Sequence, residues 1–241
     1  ERDKSWLIIQ ALATRDCGFD ITAENQILFG APPLMSKQLV ILGATGSIGS
    51  STLKVIRENP ESFSLFGVTG GQNLVAMLEI CREFSPRYAL MADEPSNQKL
   101  REAIKAESLK VEVPSGSNAI TELVKATEVE LVMAAIVGAA GLLPTLAAVE
   151  AGKTVLLANK EALVMSGAIF MEAAQRSGAQ ILPVDSEHNA IFQCMPEQVQ
   201  QQLGYCNLSE AGVSKILLTG SGGPFRYSKL ASLSSVTPAQ A

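Results

Sequence analysis

Histidine is all but missing from this chain. His188 is the single one in 241 residues, so a zinc site built from several histidines is excluded within it. The four cysteines, Cys17, Cys81, Cys194 and Cys206, stand far apart with no C-x-x-C pair. That argues against structural zinc and reads as a set of free thiols in a reducing compartment. No apolar run reaches the length of a membrane span. The short run Trp6-Leu7-Ile8-Ile9 has neither the length nor the cleavage pattern of a signal peptide. The chain therefore reads as soluble and cytoplasmic. Basic charge is also in deficit. A formal net charge of -5 creates no global field for nucleic acid or an acidic membrane, although an anion can still be held locally by backbone N–H groups. Repeats of short period and low-complexity tracts are lacking too. Aromatics make up only 5% of residues against 47% hydrophobic overall. A chain rich in Ala, Val, Leu and Gly suits close packing of helices on a parallel sheet.

What is present is alternation. Strands are expected at Gln38–Leu42, Leu65–Thr69, Tyr88–Met91, Lys110–Val113, Leu131–Ile136, Thr154–Leu157 and Gln180–Val184. Between them the helical period recurs at Ser47–Arg57, Leu74–Phe84, Gln98–Ala106, Ala119–Ala126, Leu142–Ala151 and Glu161–Ser177. Strand–helix alternation of this kind implies a parallel sheet covered on both faces. Gly152 and Gly178 stand where left-handed helix caps are expected. The strict alternation breaks after about Pro183. Residues 1–36 show no sustained period, and Met35 resembles a natural start. They read as an appended segment, with a genuine N-terminal extension as the alternative. The expected organisation is thus residues 1–36, a nucleotide domain over 37–184, and a further domain beginning at 185 and running to 241.

Gly43-Ala44-Thr45-Gly46-Ser47-Ile48-Gly49 follows an expected strand and opens an expected helix. Glycines there let the backbone turn tightly and approach a pyrophosphate, whose charge faces the N–H groups of the helix start. The spacing is G-x-x-G-x-x-G, a variant of the dinucleotide fingerprint, and a plain tight turn is the alternative. No Gly-Lys-[Ser/Thr] follows, which argues against a P-loop nucleotidase. The second strand ends in Thr69-Gly70-Gly71-Gln72-Asn73, without the Asp or Glu that an NAD site places on the ribose. NADPH is preferred on that ground, though no basic residue stands in the loop.

Three further clusters fall at strand ends. Asn159-Lys160-Glu161 follows Leu157-Ala158, where open α/β sheets place ligands; a solvated helix start explains it equally well. In Asp185-Ser186-Glu187-His188, two carboxylates two residues apart can bind a hard divalent cation, which would polarise a substrate oxygen. A capped helix start is the alternative, and His188 reads as a general acid or an ordinary core or surface residue. Leu217-Leu218 ends an expected strand, and Thr219-Gly220-Ser221-Gly222-Gly223 after it forms either an anion-binding nest or a flexible turn.

Together, Gly43–Gly49, Met133–Gly138, Leu157–Glu161, Pro183–Phe192 and Leu217–Phe225, in that order, make the chain resemble the 1-deoxy-D-xylulose 5-phosphate reductoisomerases from about Lys37 to its end. The resemblance implies a Rossmann-like, doubly wound α/β fold with a mainly parallel sheet, followed by the incomplete start of an α+β catalytic domain. It implies isomerisation of the ketose phosphate and reduction by NADPH to 2-C-methyl-D-erythritol 4-phosphate in isoprenoid-precursor synthesis. A divalent cation (Mg²⁺, Mn²⁺ or Co²⁺) and a homodimer are implied as well. Thr45, Gly46, Ser47 and Ile48 would hold the cofactor phosphates, and Gly70, Gly71, Gln72 and Asn73 would lie near the adenosine ribose phosphate. Asn159 and Glu161 would contact NADPH and Lys160 the substrate. Asp185 and Glu187 would ligate the metal, Ser186 and Glu187 would touch the substrate, and Ser221 would help bind its phosphate. Lys160 and Glu187 are the catalytic candidates.

Gln72 stands where relatives of that family often carry a base. The family's tryptophan-bearing lid, its Asn-Lys-x-x-Glu segment with a third metal carboxylate and its helical C-terminal domain are not found before Ala241, and Trp6 does not replace the lid residue. The chain by itself is accordingly expected to bind NADPH weakly and turn over little. The competing classes are a short-chain dehydrogenase, which needs Tyr-x-x-x-Lys where none of Tyr88, Tyr205 or Tyr227 has Lys four residues on, and a non-catalytic NADP-binding module.

Overall fold

The computed structural model describes residues 19–21, 27–29, 36–202, 206–218 and 223–240. By its internal contacts the chain divides into two compact units, Glu1–Cys206 and Asn207–Ala241. The first unit opens with two three-residue strands, β1 (Phe19–Ile21) and β2 (Ile27–Phe29), paired antiparallel. No strand period marks them in the sequence, and the rest of residues 1–35 lies outside the described part.

The main body alternates strand and helix, with two helices between β5 and β6: β3 (Lys37–Leu42), α1 (Ser47–Glu58), β4 (Phe63–Gly70), α2 (Leu74–Phe84), β5 (Tyr88–Met91), α3 (Glu94–Ala106), α4 (Ala119–Lys125), β6 (Leu131–Ala134), α5 (Leu142–Glu150), β7 (Thr154–Leu157), α6 (Lys160–Ser177) and β8 (Gln180–Pro183). Two further helices, α7 (Ser186–Cys194) and α8 (Glu197–Gln201), complete the unit. Strands β3 to β8 form one sheet in the order β5-β4-β3-β6-β7-β8, with every neighbouring pair parallel. This is the doubly wound order in which the chain reverses direction beside its first strand, opening a crevice between β3 and β6 at their carboxyl ends.

Side chains along β3 show why both faces are covered. Leu39 and Ile41 point into a core with Leu53, Ile56, Met77, Leu100 and Phe192. Val40 and Leu42 point the opposite way, into a core with Val132, Ala147, Phe170 and Ala174. A strand period of two thus feeds two hydrophobic layers. Helix caps set the entry angles. Asn73, Asp93 and Asn159 each accept a hydrogen bond from the backbone N–H three residues on, at the starts of α2, α3 and α6. Gly152 and Gly178 have φ of +73° and +74°, the left-handed stops that the sequence indicates.

Two expected strands are corrected. Lys110–Val113 is reduced to a single parallel bridge between Glu112 and Tyr88. It lies on the outer side of edge strand β5, and its polar Lys110 and Glu112 give no second buried face to extend the ladder. The expected strand ending at Leu218 is not formed: residues 213–218 carry no regular structure, and Leu217 and Leu218 are exposed. A strand needs a partner to satisfy its N–H and C=O groups, and none is paired with this run among the described residues. Elsewhere the second unit contains short 3₁₀ turns at Gly223–Phe225, Leu230–Ser235 and Pro238–Gln240.

Candidate functional site

The glycine turn sits between β3 and α1. Gly43 has φ of +88°, and a Cβ there would lie 2.8 Å from the Ala135 carbonyl oxygen. A Cβ on Gly49 would lie 2.5 Å from the carbonyl oxygens of both Gly43 and Ala44. The first glycine permits the turn and the last lets the helix approach the strand. The Gly43 and Ala44 N–H groups both donate to the Thr69 carbonyl, which fixes the turn to the end of β4. Gly46 caps α1 in an extended conformation with no side-chain hydrogen bond. The first-turn N–H groups of α1 therefore face outward, available to an anion.

The neighbouring turn, Gly70 to Asn73, lies beside it. A Cβ on Gly70 would meet the Thr45 side chain at 3.2 Å and the end of Met77 at 2.6 Å. Gly71, Gln72 and Asn73 are exposed. Gln72 Nε2 donates to Asp93 Oδ2 at 3.1 Å.

The other half of the crevice comes from β6, β7 and β8. Asn159 is buried, and its amide is fully used: Nδ2 donates to the carbonyls of Ile136 (2.6 Å) and Gly138 (3.0 Å), while Oδ1 accepts from Ala162 N–H. It ties the segment after β6 to the start of α6, so its side chain serves as a clamp. Lys160 Nζ donates to Asp185 Oδ2 at 3.1 Å, and His188 Nδ1 lies 2.8 Å from Asp185 Oδ1. Asp185 is half-buried at the end of β8. Burial works to raise its pKa, but hydrogen bonds from Lys160 and His188, interaction with the Glu187 side chain and the Lys160 charge outweigh it and hold the carboxyl at about 2. The Asp185 hydrogen bond in turn holds the Lys160 ammonium above its ordinary value.

These strand ends enclose one cavity of about 220 Å³, lined among others by Ile48, Ala135, Asn159, Lys160, Glu161 and Asp185. Ser186 also lines it. The first turn of α1 thus faces the acidic end of β8 across the switch point. Glu187 and His188 lie in the first turn of α7 and are exposed; Glu187 is near enough to act on Asp185 but does not line the cavity. Ser221 lies outside the described residues. Sequence reasoning missed the Gln72–Asp93 pair, the tie between Asp185 and His188, and the clamp role of Asn159. The helix-start positions of Asp93 and Asn159 and the three-residue spacing of Asp185 and His188 are the local signals that point toward them.

Chemically, the glycine turn offers backbone donors and close approach, which fit a dinucleotide pyrophosphate. Asp185 with Glu187 offers carboxylate oxygens, which fit a hard divalent cation. No group of three or more metal-capable side chains occurs among the described residues, so these two donors leave coordination positions for others.

A parallel sheet in this order, with a glycine turn at the switch point and a carboxylate across from it, is the arrangement of the Rossmann-type dinucleotide-binding class of proteins. Residues 39–167 match the 1-deoxy-D-xylulose 5-phosphate reductoisomerase family and residues 181–241 match the C-terminal domain of 1-deoxy-D-xylulose 5-phosphate reductoisomerase. The chain is 62% identical over 205 residues to the 1-deoxy-D-xylulose 5-phosphate reductoisomerase of Shewanella amazonensis, covering 85% of this chain and 52% of that relative. A crystal structure of a DOX-P reductoisomerase with NADPH, fosmidomycin and magnesium superposes with a TM-score of 0.75 at 40% identity, covering 85% of this chain and 50% of that one. The Zymomonas mobilis enzyme in complex with NADPH gives 0.71 at 39% identity, covering 86% of this chain and 51% of that one. The chain belongs to the 1-deoxy-D-xylulose 5-phosphate reductoisomerase family. It spans about half the length of the curated relatives it matches. No described helix is long and apolar enough to cross a membrane.

Proposed function

We propose that this chain supplies the NADPH site and two metal-binding carboxylates of an enzyme that isomerises 1-deoxy-D-xylulose 5-phosphate and reduces the product to 2-C-methyl-D-erythritol 4-phosphate. The observation that carries the reading is the cavity shared by Ile48, Lys160 and Asp185. It brings the start of the pyrophosphate-binding helix and an anionic metal ligand to one crevice. In this reading residues 37–184 are the nucleotide domain and residues 185–241 begin the catalytic domain.

The N–H groups of Ser47 and Ile48, with the Thr45 and Gly46 backbone, hold the cofactor phosphates. Gly70 to Asn73 meet the adenosine ribose. Glu161 reaches the cofactor by its side chain, whereas Asn159, its amide committed to Ile136, Gly138 and Ala162, orders the wall behind it. Asp185 and Glu187 hold the cation, Ser186 hydrogen-bonds the substrate, and Ser221 joins the substrate phosphate. Lys160 contributes positive charge beside the substrate oxygens, and Glu187 orients them from the metal side. When bound, NADPH supplies hydride and the divalent cation polarises the substrate's oxygens. The substrate is a sugar phosphate, the working assembly a homodimer and the compartment the cytoplasm.

Calorimetric titration of the chain with NADPH, then with Mn²⁺ and with 1-deoxy-D-xylulose 5-phosphate, tests the proposal. Expected is saturable NADPH binding that strengthens when cation and ketose phosphate are both present. NADPH binding indifferent to both would instead mark a non-catalytic nucleotide module, and no NADPH binding would sink the reading.

A further inference from the structure

The ends of β4 and β5 are stitched together more closely than sheet pairing requires. Gly70 and Met91 are register partners, and the ladder continues past both strands through Ala92 N–H to the Gly71 carbonyl at 3.3 Å. This brings the turn after β5 against the turn after β4. At the contact, Asp93 accepts from Ser96 N–H at 2.8 Å through Oδ1 and from Gln72 Nε2 at 3.1 Å through Oδ2. The Ser96 backbone hydrogen bond, then the Ser96 and Gln72 side chains, hold this carboxyl below its usual range, so it is an anion at neutral pH.

The surrounding charges do little to offset it. Arg101 is directed to Glu94, Gln98 and the Val113 carbonyl. Lys99 acts on Asp93 only through space, as the weakest of the influences on it.

We infer that Asp93, through its hydrogen bond to Gln72, is a specificity-determining residue that narrows the chain's preference for a 2′-phosphorylated adenosine ribose over an unphosphorylated one. The inference rests on the dinucleotide reading above. A 2′-phosphate needs donors and positive charge. Here the Gln72 amide N–H₂ is drawn toward Asp93, and a fixed negative charge sits one hydrogen bond behind it. A free 2′-hydroxyl can donate to Gln72 Oε1 or to the carboxylate, so the same pair accommodates NADH. The acid that an NAD-binding site carries at the end of its second strand is supplied here from the end of the third.

Asp93→Asn is the informative variant, because Asn caps a helix about as well as Asp, while the charge is lost and an amide N–H₂ replaces the oxygen that accepts from Gln72. The probes are adenosine 2′,5′-bisphosphate and ADP, measured by competition against NADPH fluorescence, with thermal unfolding as the folding check and Asp93→Ser as a second cap-competent variant. Expected is a gain of about fivefold for the bisphosphate and no change for ADP, with the gain shrinking at raised salt. Gln72→Lys should add a further gain for the bisphosphate alone. An unchanged bisphosphate-to-ADP ratio in both Asp93 variants overturns the inference while leaving the dinucleotide site standing. Failure of the unaltered chain to bind either nucleotide overturns both.

Discussion

Lys160 and Asp185 face each other from the ends of adjacent strands, Nζ to Oδ2 at 3.1 Å, with His188 on the other carboxylate oxygen at 2.8 Å. Both oxygens of the proposed metal ligand are thus engaged by cationic or polar partners before any cation arrives. A divalent ion must displace the ammonium from Oδ2. Removing the lysine should therefore ease cation binding: Lys160→Met is expected to bind Mn²⁺ about three- to fivefold more tightly, the scale of an exposed ion pair. Asp185→Asn should bind none. Electron paramagnetic resonance of free Mn²⁺ reads both, and a Lys160→Met chain with weaker Mn²⁺ binding would contradict this placement.

The glycine turn predicts two different failures. Gly49→Ala drives a methyl into the carbonyls of Gly43 and Ala44 at 2.5 Å, and neither backbone can yield without moving the turn. A loss of about 1–3 kcal/mol of stability is expected. Gly46→Ala meets only the Gly43 carbonyl oxygen, at 3.4 Å, so the chain should fold normally and lose NADPH affinity alone. Urea unfolding and NADPH fluorescence, measured on both variants, separate the effects.

Asn159→Ala removes a buried amide that makes three hydrogen bonds and leaves the Ile136 carbonyl without this donor. A cost of about 2–4 kcal/mol is expected, from the lost cap together with a part-buried acceptor left unsatisfied. Lys160→Ala, exposed and one residue along, should leave the denaturation midpoint nearly unchanged. Equal denaturation midpoints for the two variants would remove the clamp role.

Cysteine chemistry gives a pH test. Burial pushes the Cys81 thiol up to about 11 from an ordinary 9.0. Below about pH 9 the thiol is neutral in folded and unfolded chains alike, and its contribution to stability is fully present. Between pH 9 and 11 the unfolded chain ionises first, so that contribution is lost as pH rises. The stability advantage of the unaltered chain over Cys81→Ala should shrink across that window, and a constant difference would contradict it. At neutral pH a disulfide reagent should label the exposed Cys194 while sparing Cys81.

Much of this fold was legible in the sequence because buried parallel strands are short, uninterrupted apolar runs. Tyr88–Met91, Thr154–Leu157 and Leu74–Phe84 have the expected bounds. Helix α3 begins four residues earlier than its period suggests: proline is tolerated in a first turn, and Asp93 caps it. Lys110–Val113 has the composition of a strand but only one bridge at the sheet edge. The glycine turn and the Asp185 cluster could be read because local spacing encodes them. Pairings between Gln72 and Asp93, or between Lys160 and Asp185, join residues 21 and 25 positions apart. They depend on which strands become neighbours, and no local pattern records that. Asn159 was visible as a polar residue at a strand end, but its orientation into the wall was not.

The central claim is that the glycine turn and Asp185 address opposite ends of one bound cofactor and cation. Proton relaxation of NADPH on the chain, with Mn²⁺ titrated in, tests it most directly. The nicotinamide protons should broaden well before those of adenine, and Asp185→Asn should abolish the effect. Adenine protons broadening first, or broadening that survives Asp185→Asn, would place the cation elsewhere and contradict the account.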